Sequence, residues 1–284
     1  MARSLNPRSA SAAKSKPRTI RRRRASRSRA RSGSHVLRIV RAASPKLQLV
    51  AGLILCVGLW AAVNWIYHAV HKPTELLFPV SNALNKTPPE TWREYESHFR
   101  RYATPVVAPE LLAAIAQIES SGNPIARTYW KWRLTWRPFE LYRPASSALG
   151  MYQITDAKYA QTRRQCLYDP DGGDGDFVYG PGLCWIDGVY TRVVPSQAVE
   201  LAATSLDRDV ATTLKRQRIK SATLQHKQDL AAVIHLCGAG AGEAYAGRGF
   251  RLTPGQRCGD HDVRAYLQRV NGMKRLFVQL ARNS

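Results

Sequence analysis

The chain has 284 residues and a formal net charge of +23, from 43 Lys and Arg against 20 Asp and Glu. Fifteen of the basic residues and none of the acidic ones fall in the first 46 positions, so most of the excess belongs to a tail and not to a folded body. Rich in Ser, Ala and Arg, with the run Arg21 to Arg24, residues 1–46 lack the apolar surface needed to fold alone and are expected to be a disordered basic tail.

Directly after the tail, Leu47 to Val70 carries no Asp, Glu, Lys or Arg and is long enough to span a bilayer. It exceeds the short apolar region of a cleavable signal, which predicts an uncleaved anchor over 47–71. Trp60, Trp65 and Tyr67 near its end suit a membrane interface. The bias of basic residues places the amino terminus in the cytoplasm and the remainder on the far side. Arg- and Ser-rich tails also occur in transit peptides, and basic runs bind nucleic acid. Beside an apolar span, contact with anionic lipid is the better reading, with no specific nucleic acid. Residues 72–104, proline-bearing and polar before the aromatic stretch Trp92 to Tyr102, read as a linker, which leaves 105–284 as the folded domain.

In that domain Leu111, Leu112, Ile115 and Ile118 repeat at helical spacing after Pro109, a good first-turn residue. Gly122 and Pro124 end the helix just after Glu119. Trp130, Trp132, Leu134 and Trp136 then alternate with Lys131, Arg133, Thr135 and Arg137, a period of two that predicts a small β-ribbon. Further helices are expected at roughly 196–215, 223–236 and 262–280, the last capped by Asp260, so the domain is mainly α. Of five cysteines Cys56 lies in the span. Cys166, Cys184, Cys237 and Cys258 allow three pairings in an oxidising compartment, and the local choice is 166 with 184 and 237 with 258. No Cys-x-x-Cys or His cluster points to a metal, and the acidic loop 169–176 lacks the glutamate that would close an EF-hand.

Glu119 is the candidate catalytic group. A carboxyl half-buried at the edge of an apolar face is suited to holding and releasing a proton at a glycosidic oxygen, although a Glu at a helix end is more often a solvated charge. Its neighbours change the balance. Glu119-Ser120-Ser121-Gly122-Asn123-Pro124, then Ala148-Leu149-Gly150-Met151-Tyr152-Gln153, then Ile234-His235-Leu236-Cys237-Gly238-Ala239-Gly240, resemble in order the three motifs of the soluble lytic transglycosylase domain. Tyr152 stands where that family usually has Met, His235 where it has Tyr, and Leu236 where it has Asn. The spacer between the first two motifs is longer than usual.

The resemblance covers roughly residues 105–281 and implies a lysozyme-like (α+β) fold. It implies Glu119 as catalytic acid and then base, and Gly150, Met151, Tyr152, Gln153 and His235 as residues of the glycan groove. Trp132 is a further candidate sugar platform, and core packing is the alternative use for it. Ordinary glycosidases need two carboxyl groups. Only Glu119 is well supported here; Glu140, Asp156 and Asp169 are not anchored by spacing. The resemblance accounts for one: Glu119 protonates the bond between N-acetylmuramic acid and N-acetylglucosamine, then deprotonates the muramic C6 hydroxyl to leave a 1,6-anhydro end. No cofactor is implied. The expected setting is the periplasmic face of a bacterial inner membrane, with peptidoglycan strands as substrate and a trans-envelope complex as a candidate partner. A goose-type lysozyme-like hydrolase and a non-catalytic wall-binding scaffold are the alternatives.

Overall fold

The structure, a computed structural model, describes residues 44–77, 81–163, 166–168, 178–180 and 190–283. Most of the basic tail, the acidic loop 169–176 and Cys184, on which the expected Cys166–Cys184 pair depends, lie outside the described residues.

A first helix, α1 (Pro45–His71), is long and apolar enough to cross a membrane, with a mean hydropathy of 2.1 over its best window. The chain divides into two compact units at Ala62/Val63, within this helix. In the first unit Leu49, Leu53, Ile54 and Leu55 are exposed, as a lipid-facing surface requires. The last turns of α1, from Val63, belong to the second unit, as does everything that follows.

The second unit is built around α3 (Pro109–Ser120). Its residues Leu111 to Ala116 are fully buried, and it packs between α2 (Pro88–Arg101), α6 (Pro195–Arg216) and α9 (Val263–Asn283). Helices α7 (Leu224–Cys237) and α8 (Ala239–Gly247) pack on α6. Shorter helices are α4 (Asp156–Thr162) and α5 (Tyr190–Val193). The helical spacing predicted for α3, α6, α7 and α9 is thus realised within a few residues.

Two expectations are corrected. Residues 72–104 are not a linker, because α2 buries Trp92, Tyr95 and Phe99 in the main core. Proline at the start of α2 opened a helix there, and the capping box Thr87–Glu90 fixes its first turn. Nor does Asp260 cap α9: the Asp262 carboxylate accepts from the Ala265 amide at 2.8 Å, and the Asp260 carbonyl accepts from Arg257.

The aromatic ribbon is shorter than its alternation suggests. Strand β1 (Trp130–Trp132) pairs antiparallel with β2 (Tyr142–Pro144), Trp132 facing Tyr142. Two more two-stranded ladders, β3 (Cys166–Tyr168) with β4 (Val178–Gly180) and β5 (Arg257–Cys258) with β6 (His261–Asp262), complete the described strands. A Cys237–Cys258 disulfide ties the end of α7 to β5.

Candidate active site

The carboxyl of Glu119 sits one residue before the end of α3. The helix stops there because Ser121 and Gly122 both turn left-handed, at φ of 54° and 65°, and their amides return to the carbonyls of Gln117 and Ala116. A side chain at Gly122 would collide with Thr91 on α2, its Cβ 2.2 Å from the hydroxyl, so the close packing of α2 on α3 selects glycine as well. Asn123 is buried and spans the turn, its amide donating to Asn85 and its oxygen accepting from the Ile125 amide.

Glu119 keeps about a fifth of its side chain exposed. The Tyr266 hydroxyl of α9 donates to its Oε1 at 2.7 Å, and His235 Nε2 of α7 lies 3.6 Å from the same oxygen. Burial drives the Tyr266 hydroxyl far above its ordinary pKa, and the adjacent Glu119 carboxylate adds to the effect, so it remains a donor. Burial likewise holds His235 below the ordinary imidazole value; the Glu119 charge opposes this, and Lys158 reinforces it. At neutral pH the group beside Glu119 is therefore an uncharged imidazole. Lys158 is itself paired with the largely buried Asp209 of α6.

The second motif forms the loop facing the end of α3. The Ser120 hydroxyl donates to the Ala116 carbonyl and lies 2.9 Å from the Met151 carbonyl, linking α3 and the loop. Gly150, at φ 78°, has the Arg192 carbonyl where a Cβ would stand, only 1.9 Å away. That protein contact alone is enough to select glycine here. The Gln153 amide donates to the carbonyls of Ala126 and Gly150, so both its hydrogens brace the loop. Met151 and Tyr152 point into the core, fully buried, and support the wall of the site from behind.

Gln153, Lys158, Ser205, His235, Gly238 and Ala239 line part of one groove, together with apolar residues of α6 and α7. His235 joins that groove to Glu119. Trp132 is not in its lining: it is 70% exposed on the ribbon and packs on Tyr142 at 4.7 Å between ring centroids. Of the expected site residues, the structure brings Glu119 and His235 into contact, places Gln153 beside His235 in the groove wall, and buries Gly150, Met151 and Tyr152.

Residues 96–222 match the family model described as the transglycosylase SLT domain. The chain carries a transglycosylase SLT domain. Its fold is lysozyme-like, and the family it points to cleaves peptidoglycan. Among curated proteins and solved structures, none matches the chain. Glu119, the Gly150–Gln153 loop and Arg192 lie inside the matched SLT segment, whereas His235 and Tyr266 lie beyond it.

Tyr266 is the site residue that sequence reasoning missed. It lies 147 residues from Glu119. A signal was present: it stands on the apolar face of the last helix with Val263, Leu267 and Val270, and a buried tyrosine hydroxyl needs a partner.

Proposed function

We propose that the SLT domain is a lytic transglycosylase acting on peptidoglycan at the outer face of the bacterial inner membrane, to which α1 anchors it. Glu119 donates a proton to the oxygen linking N-acetylmuramic acid to N-acetylglucosamine. It then takes the proton of the muramic C6 hydroxyl as that oxygen closes on C1. The glycosidic bond breaks, the C1–O6 bond forms, and the carboxyl is returned to its starting protonation with no water consumed.

The observation that supports this reading is that, among the described residues, Glu119 is the one carboxyl at the site. No Asp or Glu is among the described residues lining the groove. Glu140 is held on the ribbon by Arg137 at 3.0 Å, and Asp156 is paired with Arg192 at 2.6 Å. Hydrolysis needs a second group to activate water, whereas an attacking hydroxyl carried by the substrate is already positioned. Tyr266 and neutral His235 hold the carboxyl without adding a competing charge.

The anchor, read with its amino terminus in the cytoplasm, gives the domain access to wall close to the membrane, suited to local remodelling or to opening a path for an envelope-spanning assembly. Digestion of purified sacculi followed by mass spectrometry tests the chemistry: 1,6-anhydro ends are expected, and reducing ends alone would favour a lysozyme-like hydrolase.

A further inference from the structure

The ribbon that carries Trp132 is held by the last turns of α1. The Asn64 amide donates to the Tyr142 carbonyl at 2.7 Å, His68 Nε2 bonds the Phe139 carbonyl at 2.8 Å, and Tyr67 stacks on Phe139. Immediately after α1, the buried Glu75 accepts from Arg127 at 2.6 Å and from Trp130 at 2.8 Å, which clamps the root of the ribbon. All of these residues belong to the second unit. The end of α1 is therefore packed directly on the ribbon, with Phe139 and Tyr142 beside Asn64 to His68.

The far end of that ribbon is unlike a water-facing turn. Leu134 and Trp136 are fully exposed and Trp132 is 70% exposed. Burying a large apolar side chain is worth about 1.5–3 kcal/mol, so a cluster of this kind calls for an apolar neighbour. Lys131 and Arg133, also exposed, interleave with it. Aromatic rings beside cations are the composition of a segment lying at the headgroup level of a bilayer.

We propose that the β1–β2 hairpin is a second membrane contact, with Trp132, Leu134 and Trp136 seated in the interface of the same bilayer that α1 crosses and Lys131 and Arg133 against the phosphates of anionic lipid. This rests on the reading of α1 as a membrane span. Continuity with the span commits the surface to lipid over glycan: the hairpin is fixed to the helix end that leaves the membrane, and its tryptophans are absent from the described lining of the groove beside His235. Two attachments, one a helix and one a hairpin, would hold the catalytic domain in a fixed orientation over the bilayer, where a single helix permits it to swivel.

Trp136 reports on this directly, because its full exposure means that Trp136→Ala leaves the fold intact. The full chain and this variant are reconstituted in vesicles of phosphatidylglycerol and phosphatidylcholine, the latter with or without bromine near the glycerol end of one acyl chain. The difference in emission between the two proteins is the emission of Trp136. It should fall by about half or more in brominated vesicles and be shielded from aqueous iodide. Emission insensitive to bromine and open to iodide would overturn the proposal, and a response to added muroglycan fragments in place of bromine would assign the tryptophan to glycan. Trp60 and Trp65 distinguish the remaining case. If bromine fails to quench the emission left in Trp136→Ala as well, the span itself is refuted and the hairpin contact with it.

Discussion

Removing the Tyr266 hydroxyl isolates one bond at the site, and the structure fixes what it should cost. Tyr266 is 2% exposed and donates to Glu119 at 2.7 Å. A hydrogen bond to a charged group contributes about 1.5–3 kcal/mol. Water reaches part of the Glu119 side chain and can replace some of the loss, so the lower end, about 1.5 kcal/mol, is expected for Tyr266→Phe. In a domain of this size that lowers Tm by roughly 3–6 °C. With Glu119→Ala already in place the hydroxyl is a buried orphan, so the same substitution becomes neutral or slightly stabilising, and the double-mutant cycle gives a coupling of about 1.5–2 kcal/mol. Thermal unfolding of the four detergent-solubilised proteins reads this. If the bond orients the carboxyl, Tyr266→Phe also slows release of wall fragments about tenfold, the kinetic equivalent of the same energy. Equal Tm losses in both backgrounds would refute the reasoning, since the hydroxyl would then stabilise the fold without Glu119.

The depressed pKa of His235 predicts an acid-side loss of stability. Below the ordinary value of 6.5 the unfolded chain takes up a proton that folded His235 refuses, so stability falls as pH drops through that value and is flat above it; His235→Gln should remove this slope in Tm measured across the range. Gly150→Ala must place a methyl against the Arg192 carbonyl at a positive φ, and a loss above about 3 kcal/mol is expected, seen as failure to accumulate or a collapsed Tm. Reduction of the Cys237–Cys258 bridge, or its replacement by two serines, reopens a loop of 21 residues and should cost about 3 kcal/mol, measured by unfolding with and without reductant.

The helices were legible because their apolar residues recur at one period. Leu111, Leu112 and Ile115 are all buried on α3, and its stop at Ser121–Gly122 follows from local chain chemistry alone. The prolines of 72–104 misled because proline punctuates loops and opens helices alike, and only the tertiary burial of Trp92, Tyr95 and Phe99 distinguishes the two. The second motif was legible as a short segment near α3, but its contacts were not. Sequence shows a glycine and a glutamine near the helix that carries Glu119, while each meets a backbone carbonyl, Arg192 for one and Ala126 for the other, contributed by a distant segment. Tyr266 and the Lys158–Asp209 pair were hidden for the same reason: contacts across 147 and 51 residues leave no periodic trace. The ribbon tryptophans were visible as a pattern, yet their exposure, which decides what they can touch, is a property of the folded chain.

The central claim is that one carboxyl, Glu119, acts while the substrate supplies the attacking oxygen. Cleavage of sacculi in water enriched in oxygen-18, with Glu119→Gln as the control, tests it most directly. The account predicts new anhydro ends free of the label and no products from the variant. Label incorporated at new reducing ends, or undiminished cleavage by Glu119→Gln, would contradict it.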